Sequence, residues 1–301
     1  MGKTHFTVED LKGMPARHAT FVGVDSDGCV FDTMDVKQRQ HFHPLIVKVW
    51  GLQKIERQVR EAAAFVNLHS RWRGRNRFSA LLTLFEFLEE WDEVRAAGAP
   101  LPGLAGLRAY CRSGLPLGNP SLRDEAARTG DPDLARVLEW SLAVNRDIDR
   151  HMRPVPPFAG ARRCLAKMHA TSDLLVVSQT PEQALLKEWR QHGLDHLVHA
   201  IAGQELGTKS EHIALAAGGK YAPGRLLMVG DAPGDLTAAR DNCAAFYPIL
   251  PGREEEAWQR LHDEAYDLFV RGRYGGDYEA RLVREFDDLL PGTPPWKKSP
   301  G

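Results

Sequence analysis

The sequence predicts an α/β fold in which a doubly wound parallel sheet is interrupted by an inserted, all-helical domain. Short, continuously apolar runs that end in polar turns alternate with helical patterns, which is typical of buried parallel strands covered by helices on both faces. From residue 33 to residue 155 the pattern is helical throughout, and no strand is indicated. Together these observations predict a Rossmann-like core with a second domain inserted after its first strand.

Four apolar runs are predicted to be strands of the core, namely residues 19–24, 173–178, 225–231 and 244–250. Pro248 marks the end or an edge position of the last run, because proline lacks the amide donor of a sheet ladder. A short first helix is predicted over residues 7–13, with Thr7 as its N-cap. Further core helices are predicted over residues 162–171, 181–192, 210–217, 254–271 and 278–290.

The inserted stretch is predicted to be a domain of its own, residues 33–155. Its helical segments are residues 37–50, 55–70, 78–96, 121–130 and 133–150, with a Pro- and Gly-punctuated stretch over 97–118. The sheet core then comprises residues 1–32 and 156–301. Within it, the tail over residues 291–301 is predicted to be disordered unless Trp296 docks on the folded protein.

Charge and composition argue against several classes of function. The 301 residues include 39 Lys and Arg and 40 Asp and Glu, so bulk charge indicates neither a nucleic-acid partner nor attachment to an anionic membrane. No apolar run approaches the roughly 20 residues that span a bilayer, and the N-terminus lacks a secretory-signal pattern. The four cysteines form no C-x-x-C pair, as expected for reduced thiols. We expect a cytoplasmic protein, monomeric or homodimeric, without nucleic-acid or membrane partners.

Polar residues with catalytic potential cluster at or near the ends of three predicted strands. Asp25 and Asp27 follow the first strand, Ser178 follows the second, and Asp231 with Asp235 follows the third. Lys209 comes 22 residues before Asp231. Ligands of open parallel sheets bind at the carboxyl ends of the strands, so these residues are predicted to form one site.

In these motifs the sequence resembles the haloacid dehalogenase-like hydrolase superfamily. The family pattern is an apolar strand ending in D-x-D-G-x-x-x-D, a strand ending in Ser or Thr, a Lys, and a strand ending in G-D-x-x-x-D. Here the corresponding segments are DSDGCVFD at residues 25–32, VS at 177–178, GTK at 207–209 and GDAPGD at 230–235. The helical insert after the first motif is similar to the helical cap domain of that family.

The resemblance implies a role for each residue. Asp25 would be the nucleophile that forms an aspartyl-phosphate, and Asp27 the general acid and base. Mg²⁺ would be held by Asp25, the backbone carbonyl of Asp27, and Asp231, with Asp235 as a further ligand or a supporting residue. Ser178 and Lys209 would hold phosphoryl oxygens, and Gly28 would let the backbone turn beside the phosphate. Without a cation, converging carboxylates would repel one another.

Two positions near these motifs leave alternatives open. Gln179 follows Ser178 where the family often has Asn, and Thr180 is an alternative hydroxyl for the phosphate, so both are candidate substrate-binding residues. Cys29 stands where Thr is usual; it is either a small packing residue or an oxidisable thiol. Halide-displacing members of the family lack an acid at the position of Asp27, and phosphonate-cleaving members have a small residue there, so the resemblance implies phosphate esters as substrates.

The cap is predicted to contribute substrate contacts, with Lys37 and Arg75 as candidates. The basic run over residues 71–78 is either a solvated corner, a place where one or two arginines grip a second anionic group, or a stacking surface for single-stranded nucleic acid. His41 and His43 are either polar residues before a helix, pocket-lining residues, or a metal pair.

The sequence thus predicts a Mg²⁺-dependent phosphatase acting on a small phosphorylated metabolite. Two alternatives stay open. One is a sugar phosphomutase of the same superfamily, and the other is a non-catalytic protein that binds a phosphorylated ligand on the same fold.

Overall fold

The computed structural model describes residues 5–297 and divides the chain into two compact units. The first comprises Met1–Thr33 and Pro154–Leu289, and the second comprises Met34–Arg153 and Leu290–Gly301. The chain therefore passes from one unit to the other three times. Within residues 5–297, none of the helices combines the length and the apolar character that crossing a membrane requires. The predicted features of residues 1–4 and 298–301 lie outside the described residues.

The first unit contains a five-stranded, all-parallel sheet in the order β3-β2-β1-β4-β5. The strands are β1 (Phe21–Val24), β2 (Asp173–Val177), β3 (Ala200–Ala202), β4 (Leu226–Gly230) and β5 (Ala245–Pro248). The strand order reverses on either side of β1, which is the topological switch point of a doubly wound sheet. The predicted fold class is therefore confirmed. The three-residue edge strand β3 is not among the predicted strands.

The register of the sheet aligns the carboxyl ends of its three central strands. Phe21 of β1 pairs with Asp173 of β2 and with Leu226 of β4, and Val24 pairs with Val176 and Val229. All of β1 and β2 is buried. The residues that directly follow β1, β2 and β4 must therefore emerge side by side at one edge of the sheet.

Sixteen α-helices are present in the described residues. In chain order they are α1 (Val8–Lys12), α2 (Thr33–Val36), α3 (His43–Trp50), α4 (Glu56–Leu68), α5 (Arg77–Glu89), α6 (Asp92–Ala97), α7 (Ala105–Arg112), α8 (Asn119–Thr129), α9 (Pro132–His151), α10 (Ala161–His169), α11 (Glu182–Gln191), α12 (Lys209–Ala217), α13 (Pro233–Asp241), α14 (Glu254–Arg260), α15 (Tyr266–Val270) and α16 (Asp277–Asp288). Short π-helical segments at Lys37–Phe42 and Leu261–Ala265 lead into α3 and α15.

Local capping explains where several of these helices begin. Thr7 caps α1 in a capping box with Asp10, as the sequence predicts. Thr208 caps α12 in the same way with Glu211, which makes Lys209 the first residue of that helix. The predicted helix over residues 78–96 is instead two helices, α5 and α6, separated at Glu90–Trp91. The Pro- and Gly-punctuated stretch over 97–118, for which no helix bounds are predicted, contains α7.

The second unit is helical and has its own apolar core. Trp50 and Trp140 are almost completely buried there, with their ring centroids 6.1 Å apart, and Phe85 meets Trp50 edge-on at 5.1 Å. Phe42 packs edge-on against Trp140 at 5.7 Å. Such aromatic pairs stabilise a core beyond the area that they bury. These helices thus form a core without strands.

The C-terminal segment over residues 291–297 packs on the second unit. Trp296 stacks on Trp91 with a centroid distance of 4.2 Å and meets Phe65 edge-on at 5.5 Å. The Lys297 ammonium forms an ion pair with Glu90. The sequence predicts a disordered tail unless Trp296 docks on the folded protein. Trp296 does dock, so residues 291–297 are not disordered.

His43 is buried at the start of α3, and this site couples stability to pH. Burial, and then the positive charges of Arg39 and Arg60, lower the pKa of His43 to about 3. Between pH 6.5 and pH 3, His43 is therefore protonated in the unfolded chain but neutral in the folded protein. The resulting loss of stability begins near pH 6.5 and is complete near pH 3.

We predict that His43→Leu makes the protein less sensitive to acid. Between pH 6 and pH 4, the free energy of unfolding of the wild type should fall by about 1.4 kcal/mol more per pH unit than that of the variant. Urea unfolding at a series of pH values measures this difference. His196→Gln, at an exposed histidine, is the control and should follow the wild type. Parallel curves for wild type and His43→Leu would contradict the prediction.

Candidate active site

Asp25 is the first residue after β1, and its backbone continues the sheet. Its N–H donates to the carbonyl oxygen of Val229 at 2.9 Å. Its side chain is 3 % exposed; Oδ1 accepts from the Ser26 N–H at 2.7 Å, and Oδ2 lies 2.8 Å from Nζ of Lys209. The carboxylate is therefore held in one orientation by a backbone amide and an ammonium group.

The loop after Asp25 turns back sharply through Gly28. Gly28 has φ 83°, a left-handed conformation that costs little only for glycine, and its N–H donates to the Phe31 carbonyl oxygen at 2.7 Å. The carbonyl oxygen of Ser26 accepts from the Val30 N–H at 2.9 Å. The turn thus closes on itself directly beside the carboxylate of Asp25.

Two buried indoles brace the same loop. Nε1 of Trp189 donates to Oγ of Ser26 at 3.0 Å, and Nε1 of Trp258 donates to the carbonyl oxygen of Cys29 at 2.9 Å. Both rings are completely buried, and a buried indole N–H needs an acceptor. Neither contact can be predicted from the motifs, because neither tryptophan lies near them in the chain.

Asp27 is oriented by two hydroxyl groups. Thr180 donates to Oδ2 of Asp27 at 2.8 Å, and Thr33 donates to Oδ1 at 2.5 Å. Asp27 is only partly buried, in contrast to Asp25. Thr180 thus contacts the second acid of the motif. Thr33 is a further residue of the site, and no motif in the sequence indicates it.

Ser178 follows β2 and is 2 % exposed. Its N–H donates to the Ala202 carbonyl oxygen of β3 at 3.0 Å, and its Oγ accepts from the Thr180 N–H at 3.2 Å. Gln179 is exposed, and its Nε2 donates to the Gly207 carbonyl oxygen at 2.9 Å. Gln179 therefore ties the loop after β2 to the segment that precedes Lys209.

Lys209 joins two acids of the site. Its Nζ lies 2.6 Å from Oδ1 of Asp235 and 2.8 Å from Oδ2 of Asp25. Burial by itself lowers the pKa of Lys209, but the charges of Asp235 and Asp25 outweigh it, so the pKa is raised above its ordinary value. The amine is thus held in its charged form by the two carboxylates.

Asp235 reaches the site because Gly230 has no side chain. Asp235 is the third residue of α13, and its Oδ2 accepts from the Ala232 N–H at 3.0 Å. A Cβ on Gly230 would overlap Cγ and Cβ of Asp235. The glycine that ends β4 is therefore needed for the close approach of this carboxylate.

Asp25, Asp231 and Asp235 converge: one carboxylate oxygen from each lies within 4.8 Å of the others, and all three side chains are buried. Burial raises the pKa of Asp25 well above its ordinary value; Lys209 acts in the opposite direction, and Asp235 and Asp231 add to the rise. Three carboxylates face one ammonium group, so a divalent cation would complete the charge balance. Their hard oxygen donors fit Mg²⁺.

Cys29 behaves as a buried packing residue. Its thiol is completely buried, and burial, followed by the charges of Asp231, Asp25 and Asp235, raises its pKa well above the ordinary value. Oxidation requires an accessible thiolate. Of the two interpretations of Cys29, the structure favours packing.

The predicted cap residues lie in the second unit. Lys37 begins the π-helical segment before α3, and Arg75 is exposed in the turn before α5. Nδ1 of His41 pairs with Oδ2 of Asp147 at 2.7 Å, while His43 is buried separately. Within residues 5–297, the group of potential metal ligands is the three aspartates, and it includes neither histidine. A His41–His43 metal pair therefore has no structural support.

Comparisons with known proteins give matches only among solved structures. No family model matches the chain, and no curated protein matches it. The chain is similar to a haloacid dehalogenase-like hydrolase from Streptococcus pneumoniae, with 14% identity over 81% of this chain and 91% of that one and a TM-score of 0.43. It is also similar to a candidate phosphoglycolate phosphatase from Lactobacillus delbrueckii subsp. bulgaricus, at 12% identity over 82% and 92% with a TM-score of 0.45.

A third similar structure is a haloacid dehalogenase-type hydrolase from Bacillus subtilis that contains bound magnesium. Its identity is 13% over 82% of this chain and 100% of that one, with a TM-score of 0.43. At such identities and scores these matches carry no argument about activity.

We predict that Gly230→Ala destabilises the protein, because the new Cβ must displace Asp235 and its contact with Lys209. The expected loss is about 1–3 kcal/mol in the free energy of unfolding, as for other overpacked sites. Gly234→Ala is the matched control on α13, since a Cβ there meets nothing within 4 Å. It should be neutral or stabilising by up to about 1 kcal/mol. Equal stability of the two variants, measured by urea unfolding, would contradict the prediction.

Proposed function

We propose that this chain is a haloacid dehalogenase-like phosphatase that hydrolyses a small phosphate ester with Mg²⁺, through an aspartyl-phosphate on Asp25. The observation that carries the proposal is the buried Asp25 carboxylate, held by Lys209 beside Asp231 and Asp235, with Asp27 two residues away. An anchored carboxylate with a neighbouring acid has what a two-step phosphoryl transfer requires.

In the first step, a carboxylate oxygen of Asp25 attacks phosphorus. The bond from phosphorus to the ester oxygen breaks, and Asp27 donates its proton to the leaving alkoxide. In the second step, water attacks phosphorus while Asp27 accepts a proton from it. The bond from phosphorus to Asp25 then breaks, which releases inorganic phosphate and restores both acids.

Asp25, the carbonyl oxygen of Asp27, and Asp231 would hold Mg²⁺. The ion would neutralise charge on the phosphoryl oxygens, as metal ions do in phosphoryl transfer. Both carboxylate oxygens of Asp235 already accept hydrogen bonds, one from Lys209 and one from the Ala232 N–H. These bonds favour a supporting role for Asp235, which would position Lys209 and contribute negative charge, over direct coordination.

The hydrogen bonds of the two hydroxyls favour Ser178 over Thr180 as the phosphate ligand. The Thr180 hydroxyl donates to Asp27, whereas Oγ of Ser178 accepts from a backbone amide and keeps its own hydrogen for a phosphoryl oxygen. Lys209 would supply the positive charge and Gly28 the open backbone next to the phosphate. Contacts of Gln179, Lys37 and Arg75 with substrate stay predictions.

We predict that Asp25→Asn lowers kcat by at least about 10³-fold with any phosphate ester, because the amide cannot act as the nucleophile. Asp27→Asn should depend on the leaving group. Its effect on kcat/KM, which reports on the first step, should be about 10²–10⁴-fold with an alkyl phosphate and much smaller with p-nitrophenyl phosphate, whose leaving group needs no proton.

Asp241→Asn, at the exposed end of α13, is the control and should match the wild type. Activity should also disappear on removal of Mg²⁺ with a chelator and return when the ion is added back. Full activity of Asp25→Asn would refute the nucleophile assignment. Equal losses of kcat/KM for both esters in Asp27→Asn would refute the acid assignment.

A further inference from the structure

Arg77, the first residue of α5, is a partly buried cation that has no acidic partner within residues 5–297. Its hydrogen bonds to the described residues are made by Nη1, to the Ser141 carbonyl oxygen at 3.3 Å, Oγ of Ser141 at 3.1 Å and Oδ1 of Asn145 at 2.7 Å. Each of these acceptors is neutral. Other arginines of the second unit, such as Arg57, Arg108 and Arg128, each pair with a glutamate.

The absence of an acid has an electrostatic consequence. Burial lowers the pKa of Arg77 to about 10, and no charged group among the described residues offsets that effect. A buried positive charge with only neutral acceptors is costly, and it attracts any anion that can reach it. Arg77 also stands at the N-terminus of a 13-residue helix, where the dipole adds further positive potential.

The guanidinium group is already oriented. It lies over the ring of Phe42, with 5.0 Å between Cζ and the ring centroid, and Phe42 itself is fixed against Trp140. Oγ of Ser141 donates its hydrogen to Oδ1 of Asn119 at 2.6 Å, and the same Oγ accepts the hydrogen bond from Arg77. A pre-oriented guanidinium loses little conformational freedom when a ligand binds.

Hydrogen-bond donors remain for a ligand. Nε and Nη2 of Arg77 make no hydrogen bond within the described residues, and neither does Nδ2 of Asn145, whose oxygen faces the same guanidinium. The fork of Nε and Nη2 matches the two oxygens of a carboxylate or phosphoryl group. The amide Nδ2 adds a donor of the kind that such an oxyanion accepts.

We propose that Arg77 and Asn145 form an oxyanion-binding site in the second unit, which takes a carboxylate or a phosphoryl group. Of the four arginines in residues 71–78, Arg77 is the one that we assign to this site, because the other three differ in exposure or contacts. Arg75 is exposed, Arg73 donates to the Leu68 carbonyl oxygen at 3.0 Å, and the guanidinium of Arg71 lies over Trp72. The site does not depend on the proposed hydrolysis. Its ligand is either the second acidic group of a phosphate ester or a separate small anion.

Equilibrium binding to the full-length Asp25→Asn protein, which should not turn substrate over, tests this site by calorimetry. The probes are a small hydroxy carboxylate, its phosphate ester, the phosphate ester of the matching amide, and inorganic phosphate. At least one oxyanion probe should bind at least tenfold more weakly when Arg77→Met is added. Arg77→Lys, which keeps the charge without the fork, and Asn145→Ala should each give a smaller loss.

Arg136→Met is the control for lost positive charge, at an exposed arginine of α9, and should change each affinity less than twofold. If Arg77→Met weakens the binding of the phosphorylated hydroxy acid but not that of its amide, the site takes the second acid of the substrate. If Arg77→Met weakens the binding of the unphosphorylated acid or of inorganic phosphate by the same factor, the site takes a separate anion. The proposal is overturned if no probe distinguishes Arg77→Met and Arg77→Lys from the control while circular dichroism shows both folded.

Discussion

The contact on which the candidate site depends is the double ion pair of Lys209 with Asp25 and Asp235. Three buried carboxylates meet at one edge of the sheet, and Lys209 is the cation that joins two of them. Its position follows from the Thr208 cap that starts α12, and the position of Asp235 follows from the absence of a side chain at Gly230. The formal charge is still negative, and this residual charge makes a divalent cation the natural complement of the cluster.

Much of the sheet can be predicted from the sequence because buried parallel strands are continuously apolar. That signal predicts β1, β2, β4 and β5, which are bounded by polar turns. It does not predict β3, because three residues at a sheet edge are too few to form a pattern. The division of one predicted helix into α5 and α6 is missed for another reason. Trp91, at the break, is buried in the same core as Leu88 and Val94, so the apolar pattern continues across it.

The site is predictable to the extent that its residues follow strand ends. Asp25, Ser178 and Asp231 do so directly, and the register of the sheet brings their backbones to one edge. The supporting contacts come from distant parts of the chain, such as the Trp189 indole on Ser26 and the Thr180 hydroxyl on Asp27. The sequence also does not show that Arg77 lacks an acidic partner among the described residues, because a basic run does not reveal which of its arginines forms ion pairs in the fold.

The most direct test of the central claim is the stereochemical course at phosphorus during hydrolysis of an isotopically chiral phosphorothioate ester. Transfer to Asp25 and then to water comprises two in-line displacements, so the account predicts net retention of configuration. Net inversion would mean that water attacks the ester directly, and it would contradict a covalent role for Asp25.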